Sequence, residues 1–159
     1  MLLPEGVKLL KLIWHPVDLD ADKVLPTAFR KEDLCGSPDA HVSVDRGDIA
    51  ERVSMEAVAR EQYARGQEAS ANGRDLGRED AKIGEMVCGE VKRQLVDGVV
   101  TFDVRPRPIA GNDAHCGIEN ISGFREPKSK KNRAFFDEAK SKLAKLASPA
   151  ISFDEAYSR

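Results

Sequence analysis

Thiol and imidazole side chains adjoin once in this chain, at His115–Cys116, inside the stretch Val99 to Ile121, VVTFDVRPRPIAGNDAHCGIENI. A nucleophilic cysteine needs a base to make thiolate and a donor to stabilise developing charge. Asp113 lies close in sequence, and His41 is the other histidine a fold could bring in. Neighbours on a strand point to opposite faces, so His115 is poorly placed to deprotonate Cys116 itself. The candidate catalytic set is therefore Cys116, His115 and Asp113 on a loop spanning 106–121, with His41 brought in from elsewhere in the fold. Cys35 and His41 also have a spacing that zinc ligands use, but His115 and Cys116 are too close in sequence to ligate together. No metal site and no cofactor are expected.

Anion binding is the second chemistry in view. Arg30 and Arg46 lie among Lys31, Glu32, Asp33, Asp45 and Asp48, without a glycine-rich phosphate loop. Interleaved charges of this kind usually form surface pairs worth little. The segment from Arg125 to Lys145 holds eight basic residues against three acidic ones, with Lys130, Lys131 and Arg133 at its centre. Such a segment could contact phosphates without sequence preference. Aromatics suited to base stacking are missing from it, because Phe135 and Phe136 fall where a core stripe needs them.

Two further motifs fail on chemistry. The acidic run Asp18 to Asp22 lacks the glycine and distal glutamate of a calcium loop. Val44-Asp45-Arg46-Gly47 resembles the end of the G-D-x-V-D-R-G motif of metal-dependent Ser/Thr phosphatases, and Gly111-Asn112-Asp113 is similar to their G-N-H-[DE]. Val42 stands where that family has its metal-bridging aspartate, the histidine of the second motif is replaced, and no G-D-x-H precedes them. No phosphatase chemistry carries over.

The elements that must position these residues follow from periodicity. Met1 to Trp14 reads as a first strand, ended by His15–Pro16. Pro26 to Leu34 can hold a helical turn with Phe29 inward, and Cys35 to Asp39 is a turn. His41 to Asp45 alternates as a strand with Val42 and Val44 on one face. Asp48 and Glu51 have capping-box spacing. A helix follows, with Ser54 as cap and Gly66 as its left-handed end. Residues 67–82 read as a loop or a fraying extension. Residues 83–95 fit either a helix or a strand. Asp97-Gly98 between apolar runs favours a hairpin pairing Val87–Leu95 with Val99–Val104, Val100, Phe102 and Val104 sharing a face. Pro106 ends that strand or places it at an edge. A second helix over Asn132–Ala147 presents Phe135, Ala139, Leu143 and Leu146 as an apolar stripe and stops before Pro149.

These elements compose an α+β fold: a small, mainly antiparallel sheet with two principal helices packed on it. Residues 1–148 read as a single domain and 149–159 as a C-terminal tail, docked through Ile151 and Phe153. A chain of 159 residues can bury roughly 70% of its unfolded surface, so it needs no disulfide or metal to fold. Its 25 basic and 27 acidic residues argue against whole-domain binding to nucleic acid. Three widely spaced cysteines point to reduced thiols and a cytoplasmic protein. The apolar run Leu9 to Trp14 is far short of the ~20 residues of a membrane helix, so no membrane association is expected. The function expected first is a non-catalytic intracellular interaction module, an accessory subunit with a protein partner. A small hydrolase or transferase using the 106–121 loop is the alternative, leaving open whether the chain is an enzyme. Nonspecific nucleic-acid binding through residues 125–145 is the third reading.

Overall fold

Successive side chains point to opposite sides of each strand, and the sheet they build has two very different faces. The computed structural model describes residues 3–158; the Met1–Leu2 start of the first expected strand and Arg159 of the tail lie outside them. The described residues form nine strands: β1 (Lys8–Pro16), β2 (Leu19–Asp20), β3 (Lys23–Val24), β4 (Val42–Arg46), β5 (Arg78–Val87), β6 (Leu95–Val96), β7 (Val99–Val100), β8 (Phe102–Pro106) and β9 (His115–Asn120). The helices are α1 (Arg52–Ala71), α2 (Cys88–Arg93), α3 (Arg133–Ala147) and α4 (Phe153–Tyr157). Five strands make one antiparallel sheet in the order β5-β1-β4-β9-β8, and two-residue ladders join β2 to β3 and β6 to β7. The fold is α+β, with β8 at an edge and ending at Pro106, which has no N–H to offer a further strand.

One face carries Leu9, Ile13, Met86, Val42, Val44, Cys116, Ile118, Phe102 and Val104, all buried. Against it pack Phe29 and the α3 stripe of Phe135, Phe136, Ala139, Leu143, Ala144 and Ala147, in one continuous core. The opposite face is apolar only near β1 and β5, where Leu10, Met55 and Ile83 form a second cluster with Leu12, Phe153 and Tyr157. Beyond it, β4, β9 and β8 present Ser43, Asp45, His115, Glu119, Asp103 and Arg105. That half of the sheet is polar and uncovered by either long helix.

Several sequence expectations are corrected by local chemistry. Residues 83–95 are strand and then helix: β5 runs to Val87, and α2 takes over at Cys88. The hairpin at Asp97-Gly98 forms, with both residues at positive φ (52° and 74°), but its ladder is only β6 with β7. Thr101 then breaks the alternation by donating its hydroxyl to the Val99 carbonyl at 2.8 Å. Val100 consequently faces solvent while Phe102 and Val104 enter the core. Helix α1 does not stop at Gly66 but continues to Ala71, where Asn72 and Gly73 (φ 85°) end it. Gly66 is buried inside the helix because the Arg78 side chain lies where a Cβ would meet it at 3.2 Å. The capping box does not form. Asp48 instead takes both its carboxylate oxygens to Arg46, at 2.7 and 2.8 Å, and the helix is capped at Glu51 without side-chain help. Ser54 already lies within the first turn. Residues after Pro149 add to the sheet, because Ile151 and Ile83 exchange two 2.8 Å backbone hydrogen bonds at the β5 edge.

Candidate functional site

Strand alternation separates the thiol from the imidazole. Cys116 faces the core beside Val44, is fully buried, and its thiol lies only 3.5 Å from the Ala114 carbonyl. Burial pushes this thiol up, against a weaker opposing pull from Arg46. An activated nucleophile needs the reverse environment. Cys35 and Cys88 are buried as well, and burial raises the Cys88 thiol too. His115 points to the opposite face, across from Asp45 in the ladder. Asp113 is exposed on the loop, and its neighbour Asn112 reaches the sheet instead, donating to Asp45 at 3.0 Å.

The fold does bring the two histidines together. The His41 and His115 rings meet edge to face, 5.6 Å apart. His115 Nδ1 is 2.8 Å from the Arg107 carbonyl, and His41 Nδ1 is 3.0 Å from the Asp39 carbonyl. A carbonyl can only accept, so Nδ1 is the donor in each ring. Gly117 permits the arrangement: a Cβ there would lie 2.8 Å from His41 Cβ and 2.9 Å from Arg107 Cδ. Arg107 is itself tied to Glu119 and to the Pro38 carbonyl. Among the described residues, no group of three His, Cys, Asp or Glu side chains could hold a metal ion.

The anion-binding candidates divide. Arg46 is neutralised by its two-pronged pair with Asp48. Arg30 instead joins the basic segment across the fold. The two short 3-10 turns Pro26–Ala28 and Lys31–Leu34 pack against α3, and a groove of about 390 Å³ runs between them. Arg30, Lys31, Lys128, Lys130, Arg133 and Lys140 line it, against Glu32 and Asp137 alone. Among the described residues, only Arg30 of these six cations has an ion pair, a loose one to Glu32 at 3.8 Å. Lys131 lies outside the lining. Lys130 and Arg133 also stand at the start of α3, whose first turn has no acidic residue. Backbone N–H groups make a helix start positive, and cations there add to that charge rather than offset it. The groove thus concentrates uncompensated positive charge on a chain of net charge −2.

A larger cleft of about 700 Å³ opens where β1 and β4 part. Their pairing is confined to Leu9 with Arg46 and Leu10 with Asp45. Beyond it, Lys11 and Leu12 of β1 and Ser43 and Val44 of β4 line the cleft instead of pairing. Helix α1 forms one wall through Met55, Val58 and Gln62, and Asn112 and His115 approach from the other side. Thr27 and Arg30 border both this cleft and the basic groove. The sequence signal for Lys11 was its interruption of the apolar run in β1. No helix of the described residues is long and apolar enough to cross a membrane. No protein-family model, curated protein or solved structure matches this chain.

Proposed function

We propose that this protein is a binding module for a phosphate-bearing polyanion, nucleic acid being the ligand class that fits best. The observation that carries this reading is the groove between the 3-10 turns and α3, where five of six lining cations lack an ionic partner among the described residues. Four of the six are lysines, which act as mobile point charges suited to a phosphate backbone rather than to base edges. Recognition is accordingly nonspecific and driven by counterion release.

Fluorescence anisotropy with a labelled oligonucleotide tests this. With four to five phosphates of a single-stranded oligonucleotide engaged, log K should fall against log salt with a slope of about −3 to −3.5. Joint Lys130→Glu and Arg133→Glu reversal should weaken binding at least about tenfold, the size expected from losing two phosphate contacts. Lys131→Glu, off the groove, should cost less. Salt-independent binding, or binding untouched by the double reversal, would sink the proposal.

A second reading, an accessory subunit that docks a protein, is favoured by Ile121 and Phe124, which are 49% and 63% exposed just before the basic linker. Charge separates the two. A protein contact through these apolar side chains survives the double reversal and is lost in Phe124→Ser.

A further inference from the structure

The cleft beside β1 holds a lysine in an unusual position. Lys11 is half-buried, and among the described residues its amine has no ion pair or hydrogen bond. Its close neighbour is the face of the Phe29 ring, 5.6 Å from Nζ. Burial pulls the ammonium below the ordinary lysine range, opposed by Asp33 and Asp18. Asp18 lines the same cleft, and burial pushes its carboxyl up. An amine and a carboxyl thus line one cleft, the pair of groups that imine formation uses as nucleophile and proton donor. Arg30 then links this cleft to the basic groove, so a molecule with phosphate in the groove can present a neighbouring group to Lys11.

We propose that Lys11 forms an imine with an aldehyde carried on a sugar phosphate, with Arg30 holding the phosphate and Asp18 supplying the proton. The inference rests on the phosphate-binding reading of the groove. In the step itself, neutral Nζ adds to the carbonyl carbon, and a proton moves from nitrogen to the former carbonyl oxygen. Asp18 protonates the resulting hydroxyl, which departs as water as the C=N bond forms. The product is a protonated imine facing the Asp18 carboxylate. Nothing is oxidised or reduced.

A free sugar phosphate and an abasic site in nucleic acid carry the same chemistry, and trapping distinguishes them. The full chain is incubated with ribose 5-phosphate, with an abasic oligonucleotide, or with unphosphorylated ribose. Borohydride then reduces any imine to a stable amine, which peptide mass spectrometry locates. The expected result is a single dominant adduct on Lys11, forming at least tenfold faster with a phosphorylated aldehyde than with ribose. Arg30→Ala should erase that preference, and Asp18→Asn should slow trapping while leaving the adduct on Lys11. The faster of the two phosphorylated probes identifies the source. Adducts scattered over surface lysines, or equal rates with and without phosphate, overturn the inference. Because the adduct is mapped in the unaltered chain, the result does not depend on whether Lys11→Met folds. Intact oligonucleotide binding in a protein that fails to trap either phosphorylated probe at Lys11 overturns the imine step and leaves the groove reading standing. Loss of both condemns the groove as well.

Discussion

The two long helices are held by different physics. Helix α3 buries six of its fifteen residues, at three- and four-residue spacing against the sheet. Helix α1 is longer, at twenty residues, yet buries only Met55 and Gly66. Charge is spread around it, so no apolar stripe can seat it. Polar ties hold it instead: Trp14 Nε1 donates to the Gln62 side chain at 2.8 Å, Arg78 donates to the Gln62 carbonyl at 2.8 Å, and Arg52 meets Asp154 at 2.7 Å. Apolar burial is worth about 25 cal/mol per Å² removed from water, whereas a single hydrogen bond nets roughly 1 kcal/mol. The difference bears on function. The helix that seals the core also fixes the basic groove, and the helix that walls the Lys11 cleft is the one a ligand could displace cheaply.

The strongest test of this contrast is truncation. Leu143→Ala in α3 removes a fully buried side chain and should cost about 2–5 kcal/mol in denaturant unfolding. Val58→Ala in α1, only partly buried, should stay within about 1 kcal/mol. Equal losses would break the comparison. A sharper test is Gln62→Ala, which strips the partner from a part-buried indole N–H and should cost about 1–2 kcal/mol. Hydrogen exchange should then speed up along α1 and leave α3 unchanged. The smallest effect concerns α4, which closes the apolar cluster beneath α1. Burial, with help from Asp45, pushes the Tyr157 phenol up to about 12, and its buried hydroxyl has no hydrogen-bond partner among the described residues. The folded state therefore keeps its proton between pH 10 and about 12, where the unfolded chain loses it. Stability from this group is complete below pH 10 and falls as pH rises through that window. Tyr157→Phe should flatten the alkaline fall by about 1 kcal/mol, allowing for partial exposure, as read from melting temperature against pH. An unchanged slope would show that Tyr157 is not what the alkaline limb reports.

Much of the architecture was legible because it rests on local rules. Val42 and Val44 share a face, Phe135 to Leu143 follow a helical period, and Asp97-Gly98 takes the positive φ values a tight hairpin requires. Legibility failed where two elements share one window. Ile83 to Leu95 mixes a period of two with a period of 3.6 because a strand passes directly into α2 there. It failed again at Gly66, where a glycine that looks like a helix end serves a close approach by Arg78. Of the candidate site residues, His41 and His115 do meet. Cys116 does not join them, since one residue along a strand reverses the face.

The sequence by itself determined the strand alternation, the α3 stripe and the excess of positive charge between Arg125 and Lys145, because each depends on neighbours within a turn or a strand. Only the tertiary structure decided which charges face one another. Arg30 is brought to Lys130 and Arg133 across a groove, Arg46 is cancelled by Asp48, and Lys11, among the described residues, makes no ion pair where β1 parts from β4. Those outcomes depend on packing between segments far apart in the chain, and solvation and charge pairing act through space rather than along the backbone.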